Sequence, residues 1–96
     1  MPTVARANEI RYRRAQIHRQ VKARGPAYAA WVLADCEDAV RTLAISRLLA
    51  WMPRWGPDKA RRALKGVAIS ETRACGDLTE RQVTVLIRML NPGWPI

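Results

Sequence analysis

The sequence predicts an all-α protein of about five helices, and three observations carry that expectation. No stretch alternates apolar and polar residues at a spacing of two, the pattern a half-buried strand requires. Apolar residues recur instead at three- and four-residue steps in separate segments. Helix start and stop signals then punctuate those segments: Gly25-Pro26, Pro53, Gly56-Pro57, Gly66, Thr79 and Asn91-Pro92-Gly93. With 96 residues the chain has room for one small domain with a thin core, which buries about 60–65% of the unfolded surface.

The first segment, Val4 to Arg24, reads as a helix with little to bury. Ile10, Ile17 and Val21 form one narrow stripe, and bases fill most other directions. Gly25-Pro26 ends it and opens the next, because proline suits a first helical turn. Ala27 to Asp38 is apolar almost all round through Tyr28, Trp31, Val32 and Leu33, which predicts a buried helix with Trp31 in the core. Asp35, Glu37 and Asp38 crowd its C-terminal end, where the helix dipole disfavours them, so a break is expected near Ala39–Thr42. They read as a solvated helix end rather than a metal site. Ile45, Leu48, Leu49 and Met52 give a third core face stopped by Pro53, with Trp51 also placed in the core.

Arg54-Trp55-Gly56-Pro57 reads as a tight turn, followed by a short helix, Asp58 to Lys65, closed by Gly66. Ala60, Leu64 and Val67 face inward and leave Lys59, Arg61, Arg62 and Lys65 in water. Val67 to Leu78 has no sustained period and is expected to be a structured connector. Thr79-Glu80-Arg81-Gln82 fits a capping box, with Val83, Leu86, Ile87 and Leu90 as the buried face of the last helix. Trp94 lies beyond that helix and is free to fold back onto the domain.

The charge pattern points to a partner. Seventeen bases against eight acids give a formal charge of +9, which implies a polyanion, nucleic acid before an anionic membrane. Residues 1–25 hold seven bases against Glu9 alone, and residues 51–75 hold six against Asp58 and Glu71. An arm so deficient in acids cannot pair its own charges within the helix. The N-terminus lacks the apolar h-region of a secretory signal, and no run approaches a membrane span. Cys36 and Cys75 with the single His18 make a poor zinc set, so neither metal nor cofactor is expected, and a cytoplasmic location with both thiols reduced is. His18 has no catalytic partner identifiable from the sequence; it reads as a surface residue or a phosphate contact. No catalytic set and no small-molecule substrate are expected.

The segment Leu48 to Gly66 is an apolar helix, a tight turn and a basic helix. Such a turn points unpaired backbone N–H groups outward, where an anion can meet them. Its residues, Leu48-Leu49-Ala50-Trp51-Met52-Pro53-Arg54-Trp55-Gly56-Pro57-Asp58-Lys59-Ala60, resemble the pattern Leu-Leu-x-x-Leu-Pro-Gly-Val-Gly-Lys-x-Lys/Arg-Ala of the actinobacterial integration host factors. Downstream, Val67-Ala68-Ile69-Ser70-Glu71-Thr72-Arg73-Ala74 resembles that family's Leu-Gly-Ile-Ser-x-Ser/Thr-Arg-Arg, and the register holds without gaps from Leu48 to Gln82. The resemblance implies a long N-terminal helix beside a compact domain with a helix–two-turns–helix motif. It also implies duplex DNA binding with little sequence preference, DNA bending or condensation, and support of recombination. By position it places Gly56 and Lys59 in a phosphate-binding hairpin and Arg73 in a downstream basic cluster.

The chain departs from the pattern at informative places. Arg54 replaces the first hairpin glycine, Pro57 removes an N–H, Asp58 brings a negative charge, and Ala74 follows Arg73 where the family has a further base. A divergent, phage-encoded member would fit these changes. The expected organisation is a basic helical arm, residues 1–25, and a compact DNA-binding domain, residues 26–96. The expected contacts to double-stranded DNA are Arg11, Arg13, Arg14, Arg19, Lys22 and Arg24 on the arm. Arg54, Trp55, Gly56, Lys59, Arg61, Arg62 and Arg73 complete the set. Trp55 either packs under the turn, as the family's aliphatic residue does, or inserts between base steps. Host nucleoid or recombination proteins are further partners, in a nucleoid-associated location. The alternatives are an interaction protein directed at a host protein and a binder of structured RNA.

Overall fold

The computed structural model describes residues 2–90, and the tail with Trp94 lies outside them. The first helix, α1 (Pro2–Arg24), buries Ile17 and Val21 and half-buries Ile10, the stripe its sequence marks. Gly25 closes it with φ +81, donating its N–H to the Val21 carbonyl at 2.8 Å. The Gly25 carbonyl then accepts the N–H groups of Tyr28 and Ala29, so one residue ends α1 and starts α2 (Pro26–Asp35). A positive φ of this kind is what favours glycine at the corner.

Helix α2 packs between α1 and α6 (Glu80–Leu90), burying Ala29, Ala30, Val32 and Leu33. Trp31 is not in the core; it is 49% exposed. The all-round apolar reading of this helix rests on alanines, which fit either against a neighbour or against water. Ala29 and Ala30 are buried together with Val32 and Leu33, Tyr28 is half-buried, and Trp31 turns outward. The chain then breaks earlier than expected, at Cys36, which takes a left-handed φ of 45 and donates to the Val32 carbonyl. A single turn follows, α3 (Asp38–Arg41), which brings the helices among the described residues to six rather than about five.

Helix α4 (Ile45–Ala50) buries Ile45, Leu48 and Leu49, and Met52 is buried just beyond it. Its first amides are met from the connector: Ile45 N–H donates to the Arg73 carbonyl at 2.8 Å, and Ser46 N–H to that of Glu71 at 3.3 Å. Cys75 N–H returns to the Leu43 carbonyl at 2.8 Å, beside one isolated bridge between Ala44 and Ala74. Gly76 sits so close to α3 that a Cβ there would lie 2.9 Å from the Arg41 carbonyl oxygen.

Helix α5 (Pro57–Gly66) buries Ala60 and Leu64. Gly66 is not the left-handed stop that its position invites; it is the last helical residue, and Ala68 takes φ +57 instead. Ile69 N–H reaches back to the Leu64 carbonyl and Ala68 N–H to that of Lys65, the paired bonds of a Schellman closure. The capping box at α6 forms as expected: Thr79 N–H donates to Gln82 Oε1 at 3.0 Å, and Gln82 N–H to Thr79 Oγ1 at 3.1 Å.

Candidate nucleic-acid interface

The turn between α4 and α5 is built on its buried side by Met52, whose carbonyl accepts the Trp55 N–H at 3.1 Å. Arg54 takes φ +69, so the residue standing where the resembling pattern has glycine keeps a glycine-like backbone. Trp55 is half-buried against the core, and Lys59 Nζ lies 4.7 Å above its ring centroid. This contact ties the lysine head to the turn, with the Trp55 ring packed between it and the core. Gly56 precedes α5 in extended backbone with open space around its Cα, and no side chain caps the first turn. Pro57 has no N–H, so the amides of Asp58 and Lys59 are what this helix start can offer an anion.

The bases of α5 divide into two groups. Arg61 donates to Glu71 at 3.0 Å and lies 3.6 Å from Asp58, bracing the helix to the connector. Arg62 and Lys65 are exposed, with no acidic partner among the described residues. Arg73 donates to the Asp77 carbonyl at 3.0 Å, and its guanidinium closes the connector's own turn.

The arm divides in the same way. Arg13 grips Glu37 with two prongs, Nε to Oε2 at 2.9 Å and Nη2 to Oε1 at 2.8 Å. That hydrogen bonding raises the Arg13 pKa against the opposing cost of burial. Arg14 donates from Nε to the Ala39 carbonyl at 2.7 Å and from Nη2 to Thr42, so it completes the C-terminal end of α3. Arg6 pairs with Asp38. Arg11, Arg19 and Lys22 are exposed with no acidic partner among the described residues, and the Arg24 guanidinium lies 5.4 Å from the Tyr28 ring centroid.

Sequence reasoning missed that Glu37 and Asp38 hold the arm rather than form a solvated helix end. The available signal was arithmetic: an arm with seven bases and one acid precedes a segment in which acids outnumber bases. It also missed that His18 stacks on Trp51, ring centroids 4.8 Å apart and 16° from parallel.

Burial pushes the Cys75 thiol up to about 12 and also raises Cys36, the reverse of what an activated thiolate needs. Among the described residues no cluster of three or more His, Cys, Asp or Glu side chains could hold a metal. None of their helices is long and apolar enough to cross a membrane.

The arrangement is an all-α, integration-host-factor-like fold carrying unpaired bases on its longest helix and on its helical hairpin. A solved structure, that of sIHF bound to an 8-base-pair palindromic DNA, shares this fold with a TM-score of 0.82 at 26% sequence identity, covering 91% of this chain and 99% of that one. No protein-family model matches the sequence, and no curated protein does either.

Proposed function

We propose that this protein is a divergent relative of the actinobacterial integration host factors that binds duplex DNA through its phosphates and bends or compacts it. One observation carries the proposal: the chain shares its fold with a DNA-bound protein and has exposed cations without acidic partners on α1 and α5. Phosphate contacts would come from Arg11, Arg19, Lys22 and Arg24 on the arm, residues 1–25. In the domain that follows they would come from Arg54, Lys59, Arg62 and Lys65, with the amides of Asp58 and Lys59. Arg13, Arg14, Arg61 and Arg73 each bond to acceptors inside the chain; their role is to hold the arm and the hairpin in register. Backbone contacts of this kind position a duplex without reading its sequence. Action at a nucleoid or in recombination would follow from such bending.

The test is fluorescence anisotropy on mixed-sequence duplexes of about 30 base pairs over a range of salt. Those eight cationic contacts give log affinity falling against log salt with a slope of about −7. The triple substitution Arg11, Arg19 and Lys22 to Ala makes that slope shallower by about 2.7, at roughly 0.9 per lost contact. Absence of binding at physiological salt, or stronger binding to matched double-stranded RNA, overturns the proposal.

A further inference from the structure

On the outer side of α2, the half-exposed Trp31 ring stacks on Tyr28, centroids 5.8 Å apart and 28° from parallel. Tyr28 is itself half-buried against the core and lies under the Arg24 guanidinium. The indole is therefore held in place yet open to solvent. Tyr28 also forms one wall of a recess of about 260 Å³, whose other walls are Arg13, Gln16, Arg19, Gln20 and Arg24. Glu37, the acid bonded to Arg13, is occupied by that two-pronged grip. Asp35, one turn beyond Trp31 on α2, is exposed and has no basic partner among the described residues. Arg19 and Arg24 thus face the recess with unspent charge.

We propose that Trp31, Tyr28, Arg19 and Arg24 form a binding site for an unpaired nucleotide, with the base stacked on Trp31 and its phosphate held by the two arginines. A duplex hides the faces of its bases, so phosphate contacts to a duplex do not call for an exposed indole. An aromatic face beside guanidinium groups matches a nucleotide whose base is free. The two Gln side chains supply donors and acceptors that suit a base edge or a sugar. The same chemistry is offered by a free nucleotide and by a single-stranded or frayed stretch of DNA. The site shares Arg19 and Arg24 with the duplex surface proposed above, but Trp31 and Tyr28 belong to it alone.

The test uses the full chain and four probes: an oligodeoxyadenylate of about eight nucleotides, an abasic deoxyribose-phosphate oligomer of equal length, a mixed duplex, and dAMP as competitor. Stacking predicts that the oligodeoxyadenylate binds about tenfold more tightly than the abasic strand. Trp31→Ala removes that advantage, Trp31→Phe keeps most of it, and both leave duplex affinity within about twofold of the parent, since stacking is absent there. Arg24→Gln weakens oligodeoxyadenylate and abasic strand alike. Under that Trp31 dependence, competition by dAMP assigns the site to a free nucleotide and its absence to a strand, and either result upholds the proposal. Equal binding of abasic and base-bearing strands overturns it. So does a Trp31→Ala protein, folded by circular dichroism, that binds the single strand as the parent does. Failure to bind the duplex alone refutes the duplex reading and leaves this site standing.

Discussion

Exchanging the glycine and alanine at the end of α5 tests the closure of that helix, because two lines of reasoning give opposite signs. A helix stop at Gly66 would make Gly66→Ala destabilising and leave Ala68→Gly with only the entropic cost of a new glycine. In the structure Gly66 is helical, and a Cβ there meets nothing within 4 Å, whereas Ala68 is the left-handed residue of the Schellman closure. An L residue in that conformation costs about 1–2 kcal/mol. Glycine relieves that cost and gives back roughly 0.5–1 kcal/mol in unfolded-chain entropy, for a net gain of about 0.5–1 kcal/mol. Gly66→Ala adds about 0.5 kcal/mol, less than the full interior propensity difference because the site is the helix's last residue. The double variant should gain about 1–1.5 kcal/mol, which raises the melting temperature of a domain this size by roughly 5–8 °C. Thermal circular dichroism reads the shift, and urea titration with an unchanged slope confirms that it is stability. A fall in melting temperature for either single variant would refute the assigned geometry.

Four further predictions concern single substitutions. Gly76→Ala forces a Cβ to within 2.9 Å of the Arg41 carbonyl oxygen, so the backbone must shift; it should lose about 1–3 kcal/mol in urea unfolding, and a neutral result would show the approach is looser. Arg14→Ala removes the bonds to Ala39 and Thr42 and should cost about 1 kcal/mol while leaving the salt slope of duplex binding unchanged. Lys22→Ala should do the reverse, with unchanged stability and a slope shallower by about 0.9. Folding keeps the Cys75 thiol protonated from its ordinary 9.0 up to about 12. The unfolded chain binds fewer protons in that window, so stability falls as pH rises through it, and Cys75→Ala should flatten the fall. Identical pH profiles for parent and variant would contradict the burial of this thiol.

Features that depend on neighbours in sequence were legible. The Thr79–Gln82 box, the Ile45–Met52 face and the Gly25-Pro26 junction each rest on residues a few positions apart, and each forms as read. Trp31 was misplaced because alanine carries no information about which side of a helix meets a neighbour. Gly66 was misread because a helix can tolerate a strained alanine two residues later when Ile69 anchors the closure over Leu64. The arm's charges could be counted but not assigned. Glu37 pairs with Arg13 across 24 positions and Asp38 with Arg6 across 32, and nothing local marks which bases are consumed and which remain available.

The bonds that start α4 bear on the order in which the molecule can be made. Its first amides are answered by the carbonyls of Arg73 and Glu71, and α2 gains its main partner only in α6. A chain emerging from the ribosome has α1 to α5 exposed before either requirement is met. Without its cap a helix as short as α4 does not hold on its own. The first sixty-odd residues therefore lack, until the connector and α6 have been synthesised, both the carbonyls that start α4 and the main partner of α2.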